Sequence, residues 1–243
     1  MKSDVSRRVA VVGAGPAGLY TAEHLLEAVD LDIAVDLFDR LPSPWGLVRY
    51  GVAPDHPEKK QVIEKLFRFI FDDDRVRFFG TVSIGQDITH EELCEHYDAV
   101  VYAVGGSGDN TLDVPGTDLG GVHRSREFTG WINGHPDHSE LDVNLDCRRA
   151  VVIGNGNVAL DVARMLVRPV SELAATEISD QALETLRQSK IEEVVVLGRR
   201  ARLHAAFHNP ELEELEHLSD VDIRVSSGED AFETSNDANN FAL

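Results

Sequence analysis

The chain has 243 residues, of which 42% are hydrophobic, and its formal net charge at pH 7 is -20. This apolar content predicts a folded chain with a substantial core and one or two domains. So acidic a balance argues against sequence-independent nucleic-acid binding, which needs a basic surface. Cys94 and Cys147 form no metal-binding or disulfide motif, and no apolar run approaches membrane-spanning length, so we expect a cytoplasmic protein that does not contact a membrane.

Residues 1–108 are expected to form a first α/β domain. A β-branched run over 8–12 predicts a strand, a glycine turn follows, and apolar spacing predicts a helix from Pro16 onward. The same reasoning predicts a strand over 31–38, a helix over 61–71, a strand over 75–79, a helix over 89–96 and a strand over 98–104. Alternating strands and helices favour a parallel sheet.

Residues 109–146 are rich in glycine, aspartate, proline and histidine, which predicts a connection between domains. A second domain is expected over residues 147–225, with strands at 149–153 and 194–197 and helices at 157–167 and 180–188. Asn209 and Pro210 are typical of the start of a further helix. Residues 226–243 lack both periodicity and apolar density, so we expect a disordered tail.

The motif GAGPAG stands between the first predicted strand and the first helix. Gly13 permits a sharp turn, Gly15 lets the backbone approach a pyrophosphate, and Gly18 lets helix and strand pack closely. Asp39 ends the second predicted strand, where an acidic residue bonds a ribose diol. The pattern predicts dinucleotide binding, and the alternative is a glycine turn that serves only packing.

A second motif, GNGNVA, places Gly154, Gly156 and Ala159 between another strand and helix. The next strand ends in LGRR, so Arg199 and Arg200 stand where an NAD site presents a carboxylate. Guanidinium groups bind a 2′-phosphate, which favours NADP, although a solvated arginine pair is the alternative. Two such motifs with opposite charges predict two different cofactors, and a flavin beside NADP is the simplest pair.

Several longer segments occur together in this order: VVGAGPAGLYTAEHLL, PWGLVRYGVAPDHPEKK, LDVPG, FTGWINGHP, GNGNVALDVARML and LGRR. In these segments the chain resembles the adrenodoxin reductase family, the NADPH:ferredoxin reductases related to glutamate synthase small subunits. The resemblance implies two Rossmann-like dinucleotide-binding domains, for FAD and NADP. Family members are about twice this length, so we expect both domains to be incomplete relative to the family.

The resemblance also implies roles for individual residues. His56 would lie near the isoalloxazine, and Asp161 would face it across the domain junction, as candidate catalytic groups. His56 is alternatively a loop residue, and Glu211 alternatively stabilises its helix dipole. The residues implied at FAD are Gly13, Gly15, Pro16, Ala17, Gly18, Asp39, Gly46, Leu47 and Ile84. The residues implied at NADP are Asn155, Gly156, Asn157, Val158, Arg199, Arg200 and Glu211.

The expected function is that of a ferredoxin–NADP(+) reductase, which passes electrons from NADPH through FAD to a ferredoxin or similar iron–sulfur protein. Arg148, Arg149, Arg164, Arg168 and the basic cluster at 199–202 are expected to contribute to a basic patch for an acidic partner. Alternatives are a non-catalytic nucleotide-binding module that needs a completing polypeptide, or an electron-input subunit resembling glutamate synthase small subunit. The latter would need cysteine-rich cluster ligands that this sequence lacks.

Overall fold

The computed structural model describes residues 7–28, 30–106, 108–109, 112–198, 206–207, 209–219, 221–225 and 240–242. The chain divides into two compact units. The first comprises Met1–Val52 and His56–Gly108, and the second comprises Ala53–Asp55 and Asp109–Leu243. None of the helices in the described ranges is long and apolar enough to cross a membrane.

The first unit is a four-stranded parallel sheet with helices on both faces. Its strands, in the spatial order β3-β2-β1-β4, are β1 (Arg7–Val12), β2 (Ile33–Phe38), β3 (Val76–Phe79) and β4 (Ala99–Tyr102). Its helices are α1 (Pro16–Leu26), α2 (Leu47–Tyr50), α3 (Pro57–Phe71) and α4 (His90–His96). The predicted parallel α/β architecture is therefore present.

The last four residues of β1 and nearly all of β2 are buried, as expected of parallel strands that are covered on both faces. Because side chains alternate along a strand, Val11 packs on one face with Leu19 of α1 and Phe67 of α3. On the other face, Phe38 packs with Leu93 of α4. This packing fixes the carboxyl ends of β1 and β2 side by side, and the first glycine motif begins there.

A buried carboxylate within β2 joins the strand to its surroundings. Asp36 is 1% exposed and accepts a hydrogen bond from Arg77 Nε at 2.7 Å. Tyr97, which follows α4, donates its hydroxyl to Asp36 Oδ2 at 2.7 Å. Burial and then the bond to the Asp36 carboxylate raise the pKa of Tyr97 to about 12.

Tyr97→Phe is expected to lower the free energy of unfolding by about 1 kcal/mol at pH 8, because Asp36 loses a donor. The folded-state pKa of Tyr97 lies above its ordinary value of 10.0, so its contribution is fully present below pH 10 and is lost as the pH rises toward 12. Urea unfolding at pH 8, 10 and 11.5 measures the free energy of unfolding. The decrease in that free energy that Tyr97 causes above pH 10 should be absent in Tyr97→Phe. Tyr20→Phe, at an exposed tyrosine, is the matched control. A tyrosinate absorbance titration in which every tyrosine ionises near pH 10 would contradict the assignment.

The second unit is also a four-stranded parallel sheet. Its strands, in the order β5-β6-β8-β7, are β5 (Arg149–Ile153), β6 (Glu193–Leu197), β7 (Asp222–Arg224) and β8 (Asn240–Ala242). Its helices are α5 (Ser125–Ile132), α6 (Asn157–Val167), α7 (Val170–Leu173), α8 (Asp180–Arg187) and α9 (Asn209–Glu216), with a 3-10 turn at Pro136–His138.

Two regions of the second unit differ from expectation. The tail prediction is wrong for Asn240–Ala242, which form β8 and pair with both β6 and β7, while residues 226–239 and 243 lie outside the described residues. A three-residue strand is too short to show a period, so only its long-range pairing defines it. Residues 109–146 are also more than a connection, because Phe128 and Trp131 of α5 lie in the core of this unit.

Candidate functional site: two glycine turns

The first glycine turn leaves no room for side chains at two of its three glycines. Gly13 has φ 104°, in the left-handed region, and a Cβ there would overlap the carbonyl oxygen of Ala103 beside it. A Cβ at Gly18 would overlap the carbonyl oxygen of Gly13. The backbone of helix α1 therefore packs directly against the backbone of the turn, as the motif predicts.

Gly15 has a different environment. It is the N-cap of α1 with extended backbone, and the described atom nearest to a Cβ would be Gly46 Cα at 3.8 Å. No side chain caps this helix, and Pro16 occupies its first turn. The amide groups at the start of α1 can therefore serve a bound anion, since helix N-termini attract phosphate.

Asp39, which follows β2, is held directly on this turn. Its Oδ2 accepts a hydrogen bond from the amide of Ala14 at 2.8 Å, and its Oδ1 accepts one from the amide of Leu41 at 2.9 Å. The structure thus brings together the glycine motif and the acidic residue that the sequence linked to it. Its predicted bond to a ribose stays a prediction.

The PWGL loop lies against the same turn. The amide of Trp45 donates to the carbonyl of Ala14 at 2.9 Å, and a Cβ at Gly46 would lie 3.0 Å from Gly15 Cα. Trp45 has φ 88°, which is unusual for a residue other than glycine and places strain at this loop. Leu47 begins α2 and is 72% exposed. The loop therefore lies beside the turn, and the contact of Gly46 and Leu47 with a flavin stays a prediction.

Two other residues predicted at the flavin have distinct surroundings. Ile84 is partly buried against the cluster that contains Val12 and Phe38. His56 is 7% exposed, and it is the N-cap residue of α3. Its Nδ1 lies 3.2 Å from Lys59 Nζ. Since an ammonium group only donates, Nδ1 is the acceptor, and the neutral imidazole carries its proton on Nε2.

The second glycine turn is more open than the first. Gly154 has φ 128°, Gly156 is the extended N-cap of α6, and no described atom lies within 4 Å of a Cβ at either position. No side chain caps α6, which begins at Asn157, so no side-chain group covers the positive end of its helix dipole, which attracts anions. The third position is Ala159, which is buried against β6. The second turn therefore has open space at both glycines, although the left-handed φ of Gly154 still disfavours any side chain there.

Two residues that follow β6, Gly198 and Ala206, lie against Asn155 of the second glycine turn. The amide of Ala206 donates to the carbonyl of Asn155 at 3.0 Å. A Cβ at Gly198 would lie 2.6 Å from Asn155 Nδ2, so Gly198 permits a close approach that the sequence did not single out. Val158 is 48% exposed on the first turn of α6. Arg199 and Arg200 lie outside the described residues, as does the side chain of Glu211 in α9.

Asp161 belongs to an ion-pair cluster centred on a buried arginine of the same helix. Arg164, whose side chain is 1% exposed, donates through its second terminal nitrogen to Asp161 Oδ1 at 2.7 Å. It also binds Asp55 through two bonds of 2.7 and 3.0 Å and lies 3.0 Å from Glu214 Oε2. Burial opposes the charge of Arg164, but the Asp55 bonds outweigh it and raise the pKa of the guanidinium.

Arg164 corrects one expectation and reveals one omission. It cannot belong to a surface basic patch, because it is buried within the second unit. Sequence reasoning also missed Asp55 as its partner. The available signal was weak: an arginine three residues after Asp161 on an otherwise apolar helix face.

Two parallel α/β units, each with a glycine turn between its first strand and the helix that follows, define the fold of two-dinucleotide oxidoreductases. The model of the pyridine nucleotide-disulphide oxidoreductase family matches residues 7–240, and the chain belongs to this family.

Among curated proteins, NADPH-ferredoxin reductase FprA of Mycobacterium tuberculosis is 50% identical over 225 residues, which are 91% of this chain and 49% of that protein. The mitochondrial NADPH:adrenodoxin oxidoreductase of Salvelinus fontinalis is 49% identical over 213 residues, 88% of this chain and 42% of that protein. The resemblance seen in the sequence motifs is thereby confirmed. The chain spans about half the length of the curated relatives it matches.

Solved structures give the same result. The structure of Mycobacterium tuberculosis FprA in complex with NADPH has a TM-score of 0.89 at 50% identity, covering 91% of this chain and 50% of that one. An atomic-resolution structure of FprA has a TM-score of 0.92 at 43% identity, covering 98% and 59%. The fold seen here is therefore that of a known reductase over nearly the whole chain.

Proposed function

We propose that this chain provides the FAD-binding and NADP-binding units of a flavoprotein oxidoreductase that passes electrons from NADPH to a ferredoxin-type iron–sulfur protein. The observation that carries the proposal is the pair of glycine turns, one bonded to Asp39 and one followed in sequence by Arg199 and Arg200. The FprA and adrenodoxin oxidoreductase relatives support it.

The first turn fits FAD. Gly15 leaves the start of α1 open, and the adjoining PWGL loop borders the same space. We propose that Gly13, Gly15 and Gly18 admit the pyrophosphate and that Asp39 binds the ribose. We also propose that the segment Pro16 and Ala17, the loop residues Gly46 and Leu47, and Ile84 contribute to the same cofactor site.

The second turn fits NADP. Gly154 and Gly156 leave space for a pyrophosphate at the start of α6. Arg199 and Arg200 are proposed to bind the 2′-phosphate through charge-assisted bonds. The residues proposed to complete this site are Asn155, Asn157, Val158 and Glu211.

His56 and Asp161 are proposed as catalytic residues. When bound, NADPH supplies a hydride and FAD converts it into single electrons for an iron–sulfur acceptor. Lys59 bonds to Nδ1 of His56, so Nε2 is the ring atom proposed to hold the proton in this role. Asp161, bonded to Arg164, supplies a fixed negative charge.

The partner is proposed to be a ferredoxin or a similar small iron–sulfur protein, in keeping with the relatives' names. A completing polypeptide is a further proposed partner. The cytoplasmic location expected from the sequence stays a prediction.

The visible spectrum of the purified chain tests this function. We expect a yellow protein with flavin absorbance that bleaches when NADPH is added anaerobically. A colourless protein that flavin cannot reconstitute would favour the non-catalytic nucleotide-binding module instead.

The double variant Arg199→Ala with Arg200→Ala tests the choice of nucleotide. We expect NADPH affinity to fall at least about tenfold, because two charge-assisted contacts are lost, while the weaker NADH affinity is retained. Titration of each nucleotide, followed by flavin bleaching, measures both. Arg148→Ala with Arg149→Ala, at an exposed pair, is the matched control. Equal loss of both nucleotides would contradict the 2′-phosphate assignment.

A further inference from the structure

A three-residue segment that ends at the second residue of the PDHPE sequence belongs to the second unit. Ala53–Asp55 belongs to that unit, whereas the residues on either side belong to the first. Its anchor is Asp55, whose side chain is 1% exposed. The carbonyl of Pro54 also accepts a bond of 3.4 Å from the amide of Glu177.

Two guanidinium groups converge on the Asp55 carboxylate: that of Arg164 in helix α6 and that of Arg168, the residue that follows the helix. Arg164 binds it with Nε and a terminal nitrogen, in the paired geometry that restricts a carboxylate most. Arg168 adds a bond of 2.6 Å from its NH1 nitrogen to Asp55 Oδ2. A carboxylate with three such bonds has a fixed position and orientation relative to α6.

The residue that follows Asp55 is His56, the N-cap residue of helix α3. One peptide bond therefore joins the anchored carboxylate residue to the candidate catalytic imidazole. The same Arg164 also binds Asp161, the other candidate catalytic group. Helix α6 in turn begins at the second glycine turn.

We infer that Asp55 is a positioning residue: bound by Arg164 and Arg168, it fixes the backbone from which His56 projects. This inference rests on the proposed function only for the role of His56. The anchoring itself is a property of the chain without cofactors.

The decisive comparison is Asp55→Asn against Glu172→Gln in the full chain. Both changes convert a carboxylate bonded to Arg168 into an amide, and both alter the net charge equally. Only Asp55 adjoins His56. We expect hydrogen exchange of the amides at 56 and 58–60 to rise about tenfold in Asp55→Asn and to stay within about twofold in Glu172→Gln. Equal exchange in the two variants would overturn the inference, whatever the activity of the chain.

Kinetics separate positioning from general destabilisation. For NADPH-dependent flavin reduction, we expect Asp55→Asn to lower kcat about tenfold or more while KM for NADPH changes less than about twofold, because misplaced catalytic groups slow chemistry. A raised KM with an unchanged kcat would contradict the inference. If Asp55→Asn also increases hydrogen exchange in β2, the substitution has destabilised the fold as a whole. Arg168→Gln then replaces it, and the same changes in hydrogen exchange and in kcat against KM are expected. If the unmodified chain binds no flavin, the proposed function fails, and hydrogen exchange alone decides the anchoring.

Discussion

Gly18→Ala is expected to lower the free energy of unfolding by about 3 kcal/mol or more and to abolish flavin binding. A Cβ at this position would overlap the carbonyl oxygen of Gly13 and lie 3.0 Å from its carbonyl carbon. Backbone atoms cannot rotate out of the way as a side chain does, so helix α1 must move away from β1. That movement withdraws the helix N-terminus from the turn that it completes.

Gly15→Ala is the matched control for this prediction. The nearest described atom to its Cβ would be Gly46 Cα at 3.8 Å, an ordinary contact, so we expect stability to change by less than about 1 kcal/mol. Flavin binding should nevertheless fall, because the Cβ enters the space left for the pyrophosphate. Urea unfolding followed by circular dichroism and flavin absorbance measure the two effects separately. Equal stability of Gly18→Ala and the unmodified chain would refute the close packing of α1 on the turn.

Arg164→Met is expected to lower the free energy of unfolding by about 4 kcal/mol at pH 7. Methionine fills much of the volume of the arginine stem but cannot bond the carboxylates of Asp55 and Asp161. The Asp55 side chain is 1% exposed, so water cannot replace the lost bonds without rearrangement. Arg168 still contacts Asp55, which limits the loss.

The control for the second prediction is Arg187→Met on helix α8. Arg187 is 51% exposed and pairs with Glu184, which is 59% exposed. An exposed pair of this kind contributes less than about 1 kcal/mol. Chemical unfolding of both variants at pH 7 provides the comparison. A similar small loss for Arg164 and Arg187 would mean that the buried cluster is not a stabilising feature of the second unit.

Helices with regular apolar spacing could be predicted from the sequence. Where each helix begins depends on the residues that favour its first turn. Helix α6 runs from Asn157 to Val167 as expected, because a glycine turn starts it and its apolar spacing is regular. Helix α3 begins at Pro57 rather than Gln61, since proline is favoured in the first turn even where the following residues are polar. Helix α5 was missed because the histidine and glycine residues around it indicated a loop.

The residues of the candidate site likewise fall into those that a local pattern predicts and those that it does not. Gly13, Gly15, Gly18 and Asp39 could be identified because a strand, a tight turn and a helix are consecutive in sequence, and the geometry of that unit dictates its residues. The Asp55 and Arg164 pair could not, since its members are 109 positions apart. The local pattern gives only a weak signal that an arginine is buried and not solvated.

By itself, the sequence determined the two nucleotide-binding folds, because each depends on short-range rules: glycine where a Cβ cannot fit, and apolar residues at the period of a strand or helix. Only the tertiary structure decided which charges are paired and buried, and that Asn240–Ala242 joins the second sheet. The physical reason is that ion pairing and strand pairing gain their free energy from partners that are distant in sequence. Such partners become known only once the chain has brought them together.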